Sequence, residues 1–328
     1  MSKRNNLCIA VTALIGLFVF IIDSKTALAG AREGVWLCIY TLLPTLLPFF
    51  FLSNLLTGSL LGTQLPFLRP LGRLCRIPEG SEYILLTGFL GGYPLGAQTI
   101  QLACDSGGLS AKDGRRMIAF CNNCGPAFLF GISGALFQDG ITPWILFGIH
   151  ILSAIFVAMM IPGNPEHTCK ADYIQPSVIR SMRQAINGLA GVCGWVILFR
   201  VIISVLQRWV MWCFPKEIQV CFMGIIELSN GCMALSTIES SSIRFILCSG
   251  FLAFGGLCVT MQTCSTAQNV DKALYFPGKV MQSAISITLA CLLCAPQLAL
   301  FPGLVAFVTG ILLRKSEIRC RNPKKLVV

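Results

Sequence analysis

Charge is what this sequence has least of. Charged residues fill 12% of its 328 positions, about half the share found in soluble domains, which excludes an ordinary water-soluble fold. Histidine is scarcer still, at two residues: His150 falls in an apolar run and His167 in a polar stretch. No Ser-His-Asp arrangement, metal-ligand spacing or phosphate loop is present. The glycines from Gly88 to Gly96 precede no Gly-Lys-Ser/Thr. Catalysis has no candidate group, so the expectation is a protein that is not an enzyme.

Hydrophobic residues abound instead, at 55%, with a mean hydropathy of +0.75. Together these describe an all-α polytopic membrane protein whose main partner is the lipid bilayer. The net charge of +11 does not indicate nucleic acid, because the basic residues sit between apolar runs and at the two ends. That is the positive-inside pattern. Most of the seventeen cysteines lie in apolar runs, where Cys acts as a small hydrophobe. Cys121-x-x-Cys124 and Cys291-x-x-Cys294 each match half a zinc site, but neither has a nearby His or a second half. No metal or cofactor is expected.

Ser2-Lys3-Arg4 precedes an apolar run over 7–22, and Ala27-Leu28-Ala29 follows. This has the outline of a secretory signal, but the many later spans favour a retained first membrane helix. The basic start places the N-terminus in the cytoplasm. A second span covers 34–61, interrupted by Pro44 and Pro48. Arg69, Arg73 and Arg76 then mark a cytoplasmic loop.

The segment 83–104 holds Gly88-Phe-Leu-Gly-Gly-Tyr-Pro-Leu-Gly96 between two basic flanks, the second carrying Lys112, Arg115 and Arg116. A re-entrant hairpin opening to the cytoplasm fits, with an ordinary Gly-rich span as the alternative. From 117 to 137 an apolar run crosses outward, broken by Phe120-Cys-Asn-Asn-Cys-Gly-Pro126. In hydrocarbon the freed backbone groups cost several kcal/mol each, so such a break belongs in a protein-lined site. A span over 142–161 returns to a polar linker containing Lys170, Arg180 and Arg183.

The second half repeats this order from the opposite face. A span over 186–206 is followed by a hairpin over 218–236 and a broken helix over 244–268, interrupted at Gly250 to Leu257. Lys272 and Lys279 mark the inside; spans 280–294 and 298–313 lead to a basic tail with Lys324 and Lys325. The expected fold is thus an inverted repeat with two re-entrant hairpins and two broken helices. The expected domains are an N-terminal helix (1–33), a first repeat (34–162), a linker (163–183) and a second repeat with the tail (184–328). Both termini are then cytoplasmic, in a bacterial cell membrane. Lys25, Arg32, Arg208, Lys216 and Arg244 fall outside and count against the scheme.

Glu227 is the carboxylate deepest in an expected membrane segment, and an ionisable group there is a functional candidate. It suits a coupling Na⁺ or H⁺, unless it faces water at the hairpin mouth. Ser229 and Asn230 offer oxygens or hydrogen bonds beside it. Asn122 and Asn123 carry donors and acceptors suited to a small polar solute such as a nucleobase or sugar, or else satisfy the broken backbone. Gln98, Gln101 and Gln262 share that ambiguity. Tyr93 stacks on a ring or packs at the hairpin tip, and Arg200 is a candidate partner for Glu227.

Several of these stretches resemble the YlbJ family of sporulation integral membrane proteins. The resemblance rests on Leu46-Leu-Pro-Phe-Phe50, Gly92-Tyr-Pro-Leu-Gly-Ala97, Cys121-Asn-Asn-Cys-Gly-Pro126, Glu227-Leu-Ser-Asn-Gly231 and Phe254-Gly-Gly-Leu-Cys-Val-Thr-Met-Gln262. It covers most of the chain from about Gly34 onward. The family more often has Ser at the position of Cys124. The resemblance implies a nucleoside-recognition, or Gate, domain, an endospore-forming source and a role in sporulation. Gly250 to Leu257 also resembles the broken-helix motif of concentrative nucleoside transporters, whose substrate motifs are not recognisable here. The expectation is a transporter or gate for a small polar solute, with a homo-oligomer left open. The rival is a non-transporting membrane partner in spore envelope assembly.

Overall fold

The computed structural model describes residues 3–163 and 177–321. Sixteen α-helices and no strand occur among the described residues, and six helical stretches are long and apolar enough to cross a bilayer. Most of the 163–183 linker, with His167 and Lys170, lies outside the described residues, as do Lys324, Lys325 and Ser2.

Helix α1 (Lys3–Ile22) precedes α2 (Ser24–Leu37), and Asp23 between them caps α2 by accepting from the Thr26 amide. A π-helical turn, Cys38–Leu42, joins α2 to α3 (Leu43–Leu60). Expected as a span over 34–61 broken at its prolines, this stretch is one continuous helical run from Ser24 to Leu60. The π turn absorbs Pro44, whose missing N–H falls at the start of α3, while Pro48 lies inside the helix. Ala27-Leu28-Ala29 lies within this helical run. Gly30 and Gly34 explain why the run begins so early. A Cβ at Gly34 would lie 2.9 Å from the Ile197 Cα, and one at Gly30 would lie 3.1 Å from the Val201 Cα. Small residues four apart let this helix meet α10 (Val178–Trp209) backbone to backbone.

After α4 (Arg69–Leu74) come α5 (Glu82–Leu90) and α6 (Leu95–Asp105). At 9 and 11 residues they are about 14 and 17 Å long, too short to cross a bilayer of about 30 Å. They pack on each other around the turn Gly91–Pro94. Helix α7 (Ala111–Met117) and α8 (Pro126–Phe137) bracket a non-helical stretch, so the expected break at Cys121–Gly125 is present. Helix α9 (Thr142–Met160) closes the first half. Arg116, expected in a basic loop, is 1% exposed. It donates to the carbonyls of Cys75, Arg76, Ala158 and Ile161, satisfying the open ends of α4 and α9.

After α10, α11 (Lys216–Ile226) and α12 (Leu228–Ala234) meet at Glu227, and Gly231 sits directly against Gly224. Helix α13 (Ser241–Phe254) breaks at Gly255, and α14 (Gly256–Thr266) continues it. Both glycines have φ near +80°, a conformation costly for a residue with a Cβ. Helices α15 (Tyr275–Cys294) and α16 (Leu300–Arg321) complete the described chain. Helix α15 starts five residues before the expected 280. Gly278 rests on Ala119, where a Cβ would lie 2.8 Å from the Ala119 Cβ, so the first turn of α15 enters the core. Lys279 goes with it and is fully buried. It does not mark a loop.

Candidate functional site

The stretch Cys121–Gly125 lies between the arms of the first helical pair. A Cβ at Gly88 or at Gly96 would overlap the Cys121 carbonyl, and Gly92 at the turn touches Gly125. Gly88 and Gly96 are thus level on opposite arms, and the broken stretch runs between them toward the tip. The second pair differs: its arms touch directly at Gly224 and Gly231, and the second break meets only its tip. Gly256 lies against Glu227 and Leu228 at the tip, and Gly255 lies against the Tyr93 hydroxyl.

One cavity forms where these four pieces meet. Gly92 and Tyr93 come from the first tip, Cys124 and Gly125 from the first break, Glu227 and Ser229 from the second tip, and Gln262 from α14. Its free space is about 50 Å³, enough for a few waters. Through Leu42, Ala127, Phe128 and Ser229 it adjoins a groove of about 400 Å³ along the π turn, α8 and α12.

Glu227 is 2% exposed and caps α12. Its Oε1 accepts from the Ser229 amide at 3.0 Å, and its Oε2 accepts from the Asn230 amide at 2.7 Å and Asn230 Nδ2 at 2.6 Å. Three donors at the start of α12 thus engage both carboxyl oxygens. The expected partner Arg200 pairs instead with Glu33, its Nε lying 2.9 Å from Glu33 Oε2. That pairing joins α10 to α2, which pack along each other.

Ser229 and Gln262 are each 4% exposed. The Ser229 hydroxyl has no protein hydrogen bond among the described residues. One end of the Gln262 amide reaches only the Cys258 sulfur, at 3.4 Å, and the other end has no protein partner among the described residues. Both side chains therefore offer hydrogen bonds to an occupant of the cavity. Tyr93 lines it and donates from its hydroxyl to the Leu252 carbonyl at 3.2 Å.

The remaining candidates lie elsewhere. Asn122 accepts from the Ala97 amide (3.2 Å) and donates to Thr263 Oγ1 (2.8 Å) and the Tyr275 hydroxyl (3.3 Å). It braces α6 against α14 and α15. Asn123 donates to the Phe120 carbonyl and accepts from Lys279 Nζ and Gln282 Nε2. Asn230 is held by Glu227, Gln98 lines a separate hollow with Asn54 and Arg180, and Gln101 binds Asp105 and the Asn269 amide.

Sequence reasoning missed three groups behind the cavity. Lys279 and Gln282 are fully buried on α15, and His150 is 2% exposed on α9. His150 Nε2 accepts from the Cys124 amide at 3.2 Å, leaving Nδ1 without a partner among the described residues. The i, i+3 spacing of Lys279 and Gln282 put both on one helix face, a signal that was available once α15 was known to begin at Tyr275.

Comparison with characterised proteins finds the sporulation integral membrane protein YlbJ of Bacillus subtilis (strain 168). It is 24% identical over 347 residues, covering 90% of this chain and 84% of the relative. The chain is thus similar to this sporulation integral membrane protein over most of its length. No protein-family model matches it, and no solved structure matches it significantly. The multi-pass membrane character expected from composition agrees with the relative's description and with the six long apolar helices.

Proposed function

We propose that this chain is a carrier or gate for a small polar solute in the membrane of a spore-forming bacterium. One observation carries the reading: the tips of both helical pairs, the first helix break and α14 beyond the second wall a single cavity in which Ser229 and Gln262 hold unused hydrogen-bonding groups. Broken helices and half-length hairpins around a central site are the construction of inverted-repeat transporters. On this reading the two pairs are re-entrant, the halves are inverted repeats and both termini are cytoplasmic. The solute is moved and not chemically altered. Ser229 and Gln262 take its polar groups, Tyr93 packs on its face, and anything larger than a few waters extends into the adjoining groove. A nucleoside-like molecule fits that division into a polar end and a long apolar groove. The relative's description as a sporulation protein supports a role for this activity in spore formation.

Uptake into proteoliposomes, measured over a panel of nucleosides, sugars and amino acids, tests this. Accumulation of one class, lost in Gln262→Leu, supports it. A protein that moves none of them, while Gln262→Leu still supports sporulation, sinks it in favour of the assembly role.

A further inference from the structure

Lys279 has no exposed surface and lies in a membrane-spanning helix. Its ammonium donates to Gln282 Oε1 at 2.8 Å and Asn123 Oδ1 at 3.2 Å. It also sits 5.2 Å from the centre of the Tyr93 ring, within range of a cation–π attraction. Those three directions use the three donors of an ammonium. The ion pairs among the described residues all involve other cations. The groups around Lys279 are neutral amides, Tyr93 of the first tip, the thiols of Cys121 and Cys124 in the first break, and His150 on α9. A charge at membrane depth is normally paired with an opposite charge or held by backbone carbonyls.

We propose that Lys279 is a tethered cation: its ammonium fills a site of neutral oxygens that would otherwise take a monovalent metal ion. Asn123 Oδ1 and Gln282 Oε1 face it as amide oxygens face a bound Na⁺, and the Tyr93 ring closes the third side. The charge thereby fastens the first break to α15 and reaches the cavity through Tyr93, which lines both. At this position the chain needs no inorganic cation. The inference goes beyond the solute reading, and its test reads stability alone, so the two stand or fall separately.

The full chain in nanodiscs is unfolded thermally in NaCl and in N-methylglucamine chloride at equal ionic strength. Wild type should show the same Tm in both. Lys279→Ala empties the site and leaves its oxygens, so its Tm should fall in N-methylglucamine and recover partly in NaCl. Lys279→Met fills the same space without charge and should fall equally in both salts. A wild-type Tm that rises with Na⁺, or a Lys279→Ala variant with equal Tm in both, overturns the proposal. If Lys279→Ala does not accumulate, Lys279→Ser is read in the same salts. No gain from Na⁺, or failure of both variants to accumulate, overturns it equally.

Discussion

Lys279 Nζ lies 3.2 Å from the side-chain oxygen of Asn123, a residue 156 positions earlier in the chain. The contact joins the broken stretch of the first half to a long helix of the second. It makes the amide break a junction between halves as well as one wall of a cavity.

The neighbouring amide should act as a brace. Asn122→Leu removes one acceptor and two donors, leaving the Ala97 amide and the Tyr275 hydroxyl short of partners in the core. An unsatisfied buried group costs about 1–3 kcal/mol. The variant should therefore insert but unfold at lower temperature, read by thermal melts in detergent. An unchanged Tm combined with lost uptake would make Asn122 a solute ligand instead.

Gly96→Ala should be among the most damaging small substitutions, because its Cβ meets the Cys121 carbonyl. Overpacking of this kind costs about 1–3 kcal/mol. Gly131→Ala, with nothing within 4 Å of the added carbon, should leave Tm unchanged or slightly raised. Equal behaviour of the two variants would contradict the packing described for the first tip.

Glu227→Gln exchanges one acceptor oxygen for a donor that faces N–H groups. Loss of a helix cap costs about 0.5–2 kcal/mol, so a modest fall in Tm is expected together with loss of any ion-coupled uptake. A variant of normal stability that fully supports sporulation would leave Glu227 without either role.

Both helix breaks were legible because Gly, Pro and paired Asn have local meanings that survive any tertiary context. Gly255 adopts a left-handed backbone, and Pro126 begins α8, as such residues commonly do. Lys279 was not legible, because a lysine seven residues after Lys272 reads as another basic flank. Its placement depends on Gly278 resting on Ala119, a contact between distant parts of the chain. The start of α2 was hidden similarly, since Gly30 and Gly34 gain their meaning only from α10 against them. Arg116 reads as a loop cation until the ends of α4 and α9 are seen to converge on it.

Reporter fusions at the two ends test the orientation. Both termini should report the cytoplasm, because Lys3 and Arg4 precede the first apolar helix and basic residues follow the last. Ends on opposite faces would rule out the inverted arrangement of the halves.

The most direct test of the account is whether the central cavity holds water. Hydroxyl-radical footprinting of the protein in nanodiscs labels side chains beside bound water, and three buried tyrosines serve as internal reporters. Tyr93 lines the cavity, whereas Tyr83 and Tyr275 are packed in the core away from it. Rapid modification of Tyr93 with Tyr83 and Tyr275 protected is the predicted result. Equal protection of all three would mean a dry centre and would contradict a solute site between the two halves.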